Sequence, residues 1–285
     1  MYASIVIFII IYIFDLAIAY AIAGPTGALF AMIALPIAIV IQQKLCMLSV
    51  GATRLEKLDD ADQDKLRAVF EDVLQSAERQ GYSFSKNPRI YLLESNELNA
   101  FSCGNCIVVN RGLINTICLR AVVCHEIKHY RQKDSYCSCL ISSSVAVLML
   151  ILMFTLGVSV IAISIFTALL FGIVLGSTAA FISGSIVYRT FNFLKNAILN
   201  IVYWISVFFQ ALLSQFTEYK ADEFSAQCGF ADELILFLKS TNDDARFTSL
   251  TQRLLSTHPS NAKRIERLNQ IKNQLNGTLS LPFDL

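Results

Sequence analysis

His125-Glu126-Ile127-Lys128-His129 holds the residues of this chain whose types and spacing could break a bond. Positions four apart on a helix differ by about 40° around the axis, so two imidazoles can grip one metal ion while the carboxylate beside them addresses a water. At the chain's own His and Glu frequencies the pattern would arise by accident roughly once in a thousand such sequences, so it is read as a zinc site and not as a polar patch. A tetrahedral ion needs at least one more protein ligand, from elsewhere in the chain.

Glu218 and Asp222 are the candidates that fit: four residues apart, they share a helical face. Glu218 can be the third ligand. Asp222, one turn on, can hold the second N–H of a ligating imidazole, which metal-bound histidines usually need. His258 competes for the third position, being the only histidine besides the pair, although Glu218 is preferred. Otherwise His258 either ties backbone groups in its loop or donates to a tetrahedral oxyanion. A continuous motif with a third histidine six residues on is excluded, because Gln132 and Ser135 occupy those places.

The elements that must position these residues divide between water and lipid. Of 285 residues, 55% are hydrophobic and 16% charged, too apolar for an ordinary soluble domain and too charged in parts for a pure membrane bundle. The net charge of +1 gives no general pull toward nucleic acid. Charges crowd into residues 53–134 and 218–272. Eight cysteines, diluted in a long apolar chain, read as free thiols. Cys103-Gly104-Asn105-Cys106 has redox or half-site spacing, but no second pair matches it, so ordinary loop thiols are preferred.

Residues 3–23 and 27–43 are two apolar stretches joined by Gly24-Pro25-Thr26-Gly27, a helical hairpin of two spans. Asp15 sits inside the first, protonated or bonded to a neighbouring helix, and Pro36 is expected to kink the second. Residues 59–80 place Leu66, Val69, Phe70, Val73, Leu74 and Ala77 at helical spacing, with Gly81 as a stop. Residues 89–93 and 106–110 read as short strands; the second is a candidate open edge on which a peptide could pair, through Val108 and Asn110. Residues 139–188 then supply two spans with a turn near 157–164, although small residues at 176–184 leave the register open. Residues 197–216 either pack along the interface or pair with one long span. Residues 231–239, 245–256 and 261–275 read as amphipathic helices, the last capped by Ser260 or Asn261.

If Glu218 joins His125 and His129, an even number of spans separates them. Lys44, Arg54, Arg120, Arg131, Lys133, Arg189 and Lys195 then fall on the metal side of the bilayer, so the site faces the cytoplasm.

In this order the chain resembles the HtpX-like membrane zinc endopeptidases, relatives of the CAAX prenyl endoprotease. The resemblance is carried by the apolar hairpin, Asn99-Ala100-Phe101, Gly112-Leu113, His125-Glu126-Ile127-Lys128-His129, paired spans, Glu218-Tyr219-Lys220-Ala221-Asp222 and Thr257-His258-Pro259-Ser260 before a basic helix. It implies one zinc per chain held by His125, His129 and Glu218, Glu126 as general base, and a substrate strand near Asn99, Ala100 and Phe101. The implied substrates are polypeptides, membrane or misfolded proteins, handled at a bacterial inner membrane with no nucleic-acid partner. Two positions depart from the pattern: Cys124 stands where a small alanine is common, and Gln215 where members usually carry an arginine.

The expected fold is mainly α: a polytopic membrane protein with about four transmembrane helices and a zincin-like α+β catalytic domain carrying a small β-sheet. The expected segments are an N-terminal hairpin over 1–45, the first catalytic part over 46–135, the membrane segment over 136–216 and the second catalytic part over 217–285. A prenyl-peptide protease and a non-catalytic membrane scaffold or chaperone are the alternatives.

Overall fold

The computed structural model describes residues 2–57, 61–84, 86–241 and 258–279; the helix expected over 245–256 lies outside them. The described elements, in chain order, are α1 (Tyr2–Val50), β1 (Thr53–Arg54), α2 (Ala61–Arg79), β2 (Arg89–Leu93), β3 (Ala100–Cys103), β4 (Cys106–Asn110), α3 (Arg111–Ile114), α4 (Leu119–Gln132), α5 (Asp134–Leu175), α6 (Ser177–Gln227), α7 (Ala231–Ser240) and α8 (Asn261–Leu279). They fall into two units: residues 41–138 with 210–285, and residues 2–40 with 139–209.

The sheet-bearing unit is built on apolar periodicity. In α2, Leu66, Phe70, Val73 and Ala77 are buried at intervals of three and four, each large side chain contributing about 1.5–3 kcal/mol by leaving water. Asp62 and Asp64 in the first turn and Arg79 in the last complement the helix dipole. Gly81, at φ 78°, ends the helix as expected, and its N–H and that of Tyr82 close back on the carbonyls of Glu78 and Ala77.

The sheet order is β1-β2-β4-β3, with β2 and β4 parallel and the outer pairings antiparallel. Residues 89–93 and 106–110 are strands, as their composition predicts. The short β3, however, makes a hairpin with β4 through Gly104 (φ 57°) and leaves β4 between β2 and β3. The expectation that 106–110 is an open edge is therefore corrected: both sides of β4 are paired, and all five of its residues are buried. The edge is β3. Leu92, Ile107 and Val109 join Val122, Val123, Ile127, Phe224, Leu234 and Leu268 in one core.

In the apolar unit, α1 folds back on itself. Tyr12 donates its hydroxyl to the Met32 carbonyl at 3.0 Å, although twenty residues of straight helix would hold them about 30 Å apart. The reversal lies at Ala23 and Gly24, the latter at φ 65°, a conformation that glycine adopts without a Cβ penalty. The hairpin is thus present, and Pro36 lies inside its second helical stretch. Asp15 is buried beside Ser144 of α5.

Beyond α4 the turn is at Gly176 (φ 89°), not at 157–164. Gly157 stays helical. No Gly or Pro interrupts residues 185–228, so 197–216 is the middle of one 51-residue helix and not a separate segment. Arg189 and Lys195 lie in the body of that helix and not in a loop. The backbones of α5 and α6 approach closely at Gly184, where a Cβ would sit 3.0 Å from that of Ala168. Among the described residues three helices are long and apolar enough to cross a membrane, the first containing the α1 reversal. Phe154, Ile173, Phe181 and Phe193 are exposed along α5 and α6, as lipid-facing side chains are.

Gly112 supports the approach to β3: its N–H donates to the Ser95 carbonyl at 2.9 Å, and a Cβ there would overlap the Asn96 carbonyl group. Gly112→Ala is expected to displace the loop before β3 and to cost about 1–3 kcal/mol, read as a lower thermal midpoint in detergent and faster proteolysis in that loop.

Candidate metal centre

Helix α4 stacks His125 over His129, with Nε2 atoms 3.1 Å apart and rings crossed at 70°. From α6, Glu218 sets one carboxylate oxygen 3.4 Å from His125 Nε2 and the other 3.4 Å from His129 Nε2. All three side chains are buried, and their donor atoms lie within 4.8 Å of one another. Ligands about 2.0–2.1 Å from a tetrahedral ion are separated by about 3.3–3.4 Å. The observed separations fit that figure, and two nitrogens with a carboxylate form a donor set suited to such an ion.

The far side of each ring is held by a carboxylate. Asp222 Oδ1 lies 3.0 Å from His125 Nδ1, and Asp134 Oδ2 lies 2.8 Å from His129 Nδ1. A proton on each Nδ1 leaves both Nε2 lone pairs pointing to the shared centre. Asp134 reaches His129 because Lys133, at φ 57° in the left-handed region, ends α4 and turns the chain.

Helix α8 supplies the counter-charge. Arg264 is buried and forks onto Asp222, with Nε and Nη2 donating to the two carboxylate oxygens at 2.8 and 2.6 Å. Its Nη1 lies 3.2 Å from Glu218 Oε2. One guanidinium thus fixes both acidic residues of α6, the kind of planar double contact that a lysine does not reproduce. Arg264 thus pins the α6 face from α8. His258 lies just before α8, with Nδ1 3.2 Å from Glu218 Oε1 and its side chain 60% exposed.

Glu126 is buried beside the imidazoles and accepts the backbone N–H of Ser102 on the edge strand β3. Burial pushes its carboxyl up, while His129 and His125 pull it down; the net direction is upward. Burial would lower His129, but Asp134 and Glu218 outweigh it and push its pKa up to about 10. His125 is raised too, as Asp222 and Glu218 overcome its burial. Metal-free, the surrounding carboxylates favour the protonated form of both rings; a dication fits the same excess of negative charge.

Asn99 and Asn110 are joined through a backbone hydrogen bond of 3.0 Å. Ala100 and Phe101 lie on β3, paired to Val109 and Val108. Val108 and Asn110 belong to the inner strand and are buried, so they support the edge and are not themselves open to a peptide. Two residues were visible in the sequence only as members of charged stretches. Asp134 sat in a polar patch and Arg264 in a basic helix, and neither had a spacing signal.

A sequence model of peptidase family M48 matches residues 60–272, from the start of α2 into α8. The chain belongs to peptidase family M48. Among curated proteins no match is found. M48 peptidases are metalloproteases, and the M48 match covers all the residues of the cluster just described, including Asp134 and Arg264.

Asp134→Asn and Asp222→Asn are each expected to weaken metal binding about 10–100-fold, measured by competition with a chromophoric chelator. Arg264→Met leaves Asp222 and Glu218 buried without their cation, and is expected to cost about 3–5 kcal/mol. Pairing it with Asp222→Asn should recover part of that loss in thermal unfolding.

Proposed function

We propose that this M48 peptidase is a zinc-dependent, HtpX-like endopeptidase of the membrane, cutting membrane or misfolded polypeptides on the cytoplasmic side. The observation that carries the reading is the buried His125, His129 and Glu218 triad, spaced for a tetrahedral ion, with Glu126 between it and an edge strand. Zinc, when bound, supplies the positive charge that acidifies a water and polarises a peptide carbonyl.

The chain's own groups do the rest. The β3 backbone pairs with an extended substrate and holds a peptide bond across the cluster. Glu126, oriented by the Ser102 N–H, takes the proton from the attacking water and passes it to the leaving amine. Its upward-shifted carboxyl suits both transfers. Asp134 and Asp222 keep the imidazoles in the ligating tautomer. His258, exposed beside Glu218, donates to the oxyanion as the carbonyl carbon becomes tetrahedral. Four membrane crossings, two from the α1 hairpin and one each from α5 and α6, put both halves of the site on one side. Lys44, Arg54, Arg120, Arg131 and Lys133 make that side cytoplasmic.

Glu126→Gln is expected to retain fold and about one zinc per chain while losing about 10²–10⁴-fold in peptide cleavage. Glu218→Ala is expected to lose the zinc itself. The two are separated by metal analysis alongside cleavage of an unfolded membrane-protein substrate and of a prenylated peptide. Undiminished cleavage by Glu126→Gln would overturn the assignment, and a clear preference for the prenylated peptide would reassign the substrate.

A further inference from the structure

Two thiols that the proposed reaction does not use lie where the metal-site helices meet. Cys124, immediately before His125 on α4, is fully buried; Cys228, just past the end of α6, keeps 9% exposure. Both are free, both belong to the same core, and their side chains hydrogen-bond each other. The two segments are also tied by Ser225, whose hydroxyl donates to the Ala121 carbonyl at 3.1 Å. The chain leaves the helix immediately after Cys228 through Gly229 at φ 93°. Thiols in direct contact are near enough to reach the sulfur–sulfur bond length of about 2.05 Å through side-chain rotation together with a small approach of the two segments.

We propose that Cys124 and Cys228 form a reversible disulfide on exposure to peroxide, and that this bond lowers the activity of the adjacent metal site. Cys228, the less buried of the two, is the thiol nearer to an oxidant arriving from solvent. The hydrogen bond from Cys124, together with the Lys128 ammonium and against the effect of burial, also pulls its pKa down, the direction that favours reaction. Its sulfur attacks one oxygen of hydrogen peroxide; the O–O bond breaks, a sulfenic acid forms and one water leaves. The Cys124 sulfur then attacks the Cys228 sulfur; the S–O bond breaks, and the departing hydroxide takes the Cys124 proton as a second water. Two thiols are oxidised by two electrons and one peroxide is reduced to two waters. A dithiol reverses the bond by exchange.

The consequence for the site is geometric. Asp222 lies six residues before Cys228 on the same run of helix, about 9 Å along its axis, and holds His125, the neighbour of Cys124, at 3.0 Å. Drawing the two sulfurs into a bond shifts α4 against α6 beside that contact. In a reducing compartment a disulfide of this kind is a signal and not a structural brace.

The activity part rests on the peptidase reading; the covalent part does not. The full chain, metal-loaded in detergent micelles, is treated with hydrogen peroxide, its remaining thiols are blocked, and its peptides are analysed by mass spectrometry before and after dithiothreitol. The expected result is a Cys124–Cys228 linked peptide as the main product, a several-fold fall in cleavage, and recovery of both on reduction. Cys228→Ser and Cys124→Ala should each lose the linked peptide and keep their activity in peroxide. Absence of the linked peptide, or oxidation confined to Cys137 and Cys139, would overturn the proposal. Formation of the bond with activity and metal content unchanged would overturn its coupling to the site. If the untreated chain cleaves nothing, the linked peptide and the metal content still decide this proposal, and the failure falls on the peptidase reading.

Discussion

Concentrated negative charge, largely buried in the protein, is the constraint that the site is organised around. Glu126, Asp134, Glu218 and Asp222 crowd two imidazoles, and Arg264 sets its guanidinium among them. Carboxylates in such surroundings cost several kcal/mol each unless paired. A dication at the Nε2 atoms, together with Arg264, offsets most of the cluster's negative charge. The geometry of the first ligands thus depends on residues that never touch the ion, because those residues decide which ring nitrogen carries a proton.

The sheet serves the same end from the other side. Since β4 is paired on both flanks, it is a rigid floor, and β3 is held at the edge with its Ser102 N–H on Glu126. One short strand therefore orients the carboxylate from the edge of the sheet. The close seat of Gly112 under Asn96 sets where that strand begins.

Parts of this were legible because they obey local periodicities. His125 and His129, like Glu218 and Asp222, are one helical turn apart; α2 shows its apolar stripe; and β2 and β4 are apolar runs bounded by turn residues. The rest depends on tertiary neighbours. Ala100–Cys103 is too short and mixed to announce a strand, and nothing local says that the following strand inserts beside β2. Asp134 reaches His129 only through a left-handed Lys133, and Arg264 meets Asp222 from another helix. The turn at Gly176 was hidden because an apolar helix tolerates glycines, and Gly157 and Gly184 looked equally able to break it.

The contact between Arg264 and the α6 carboxylates also bears on biogenesis. The histidines are made first, the third ligand only after two long apolar helices, and the neutralising guanidinium later still. During synthesis, which proceeds from the N-terminus, a nascent chain carrying α4 and α6 alone would leave Glu218 and Asp222 uncompensated. Neutralisation of those two carboxylates is thereby postponed until α8 has docked.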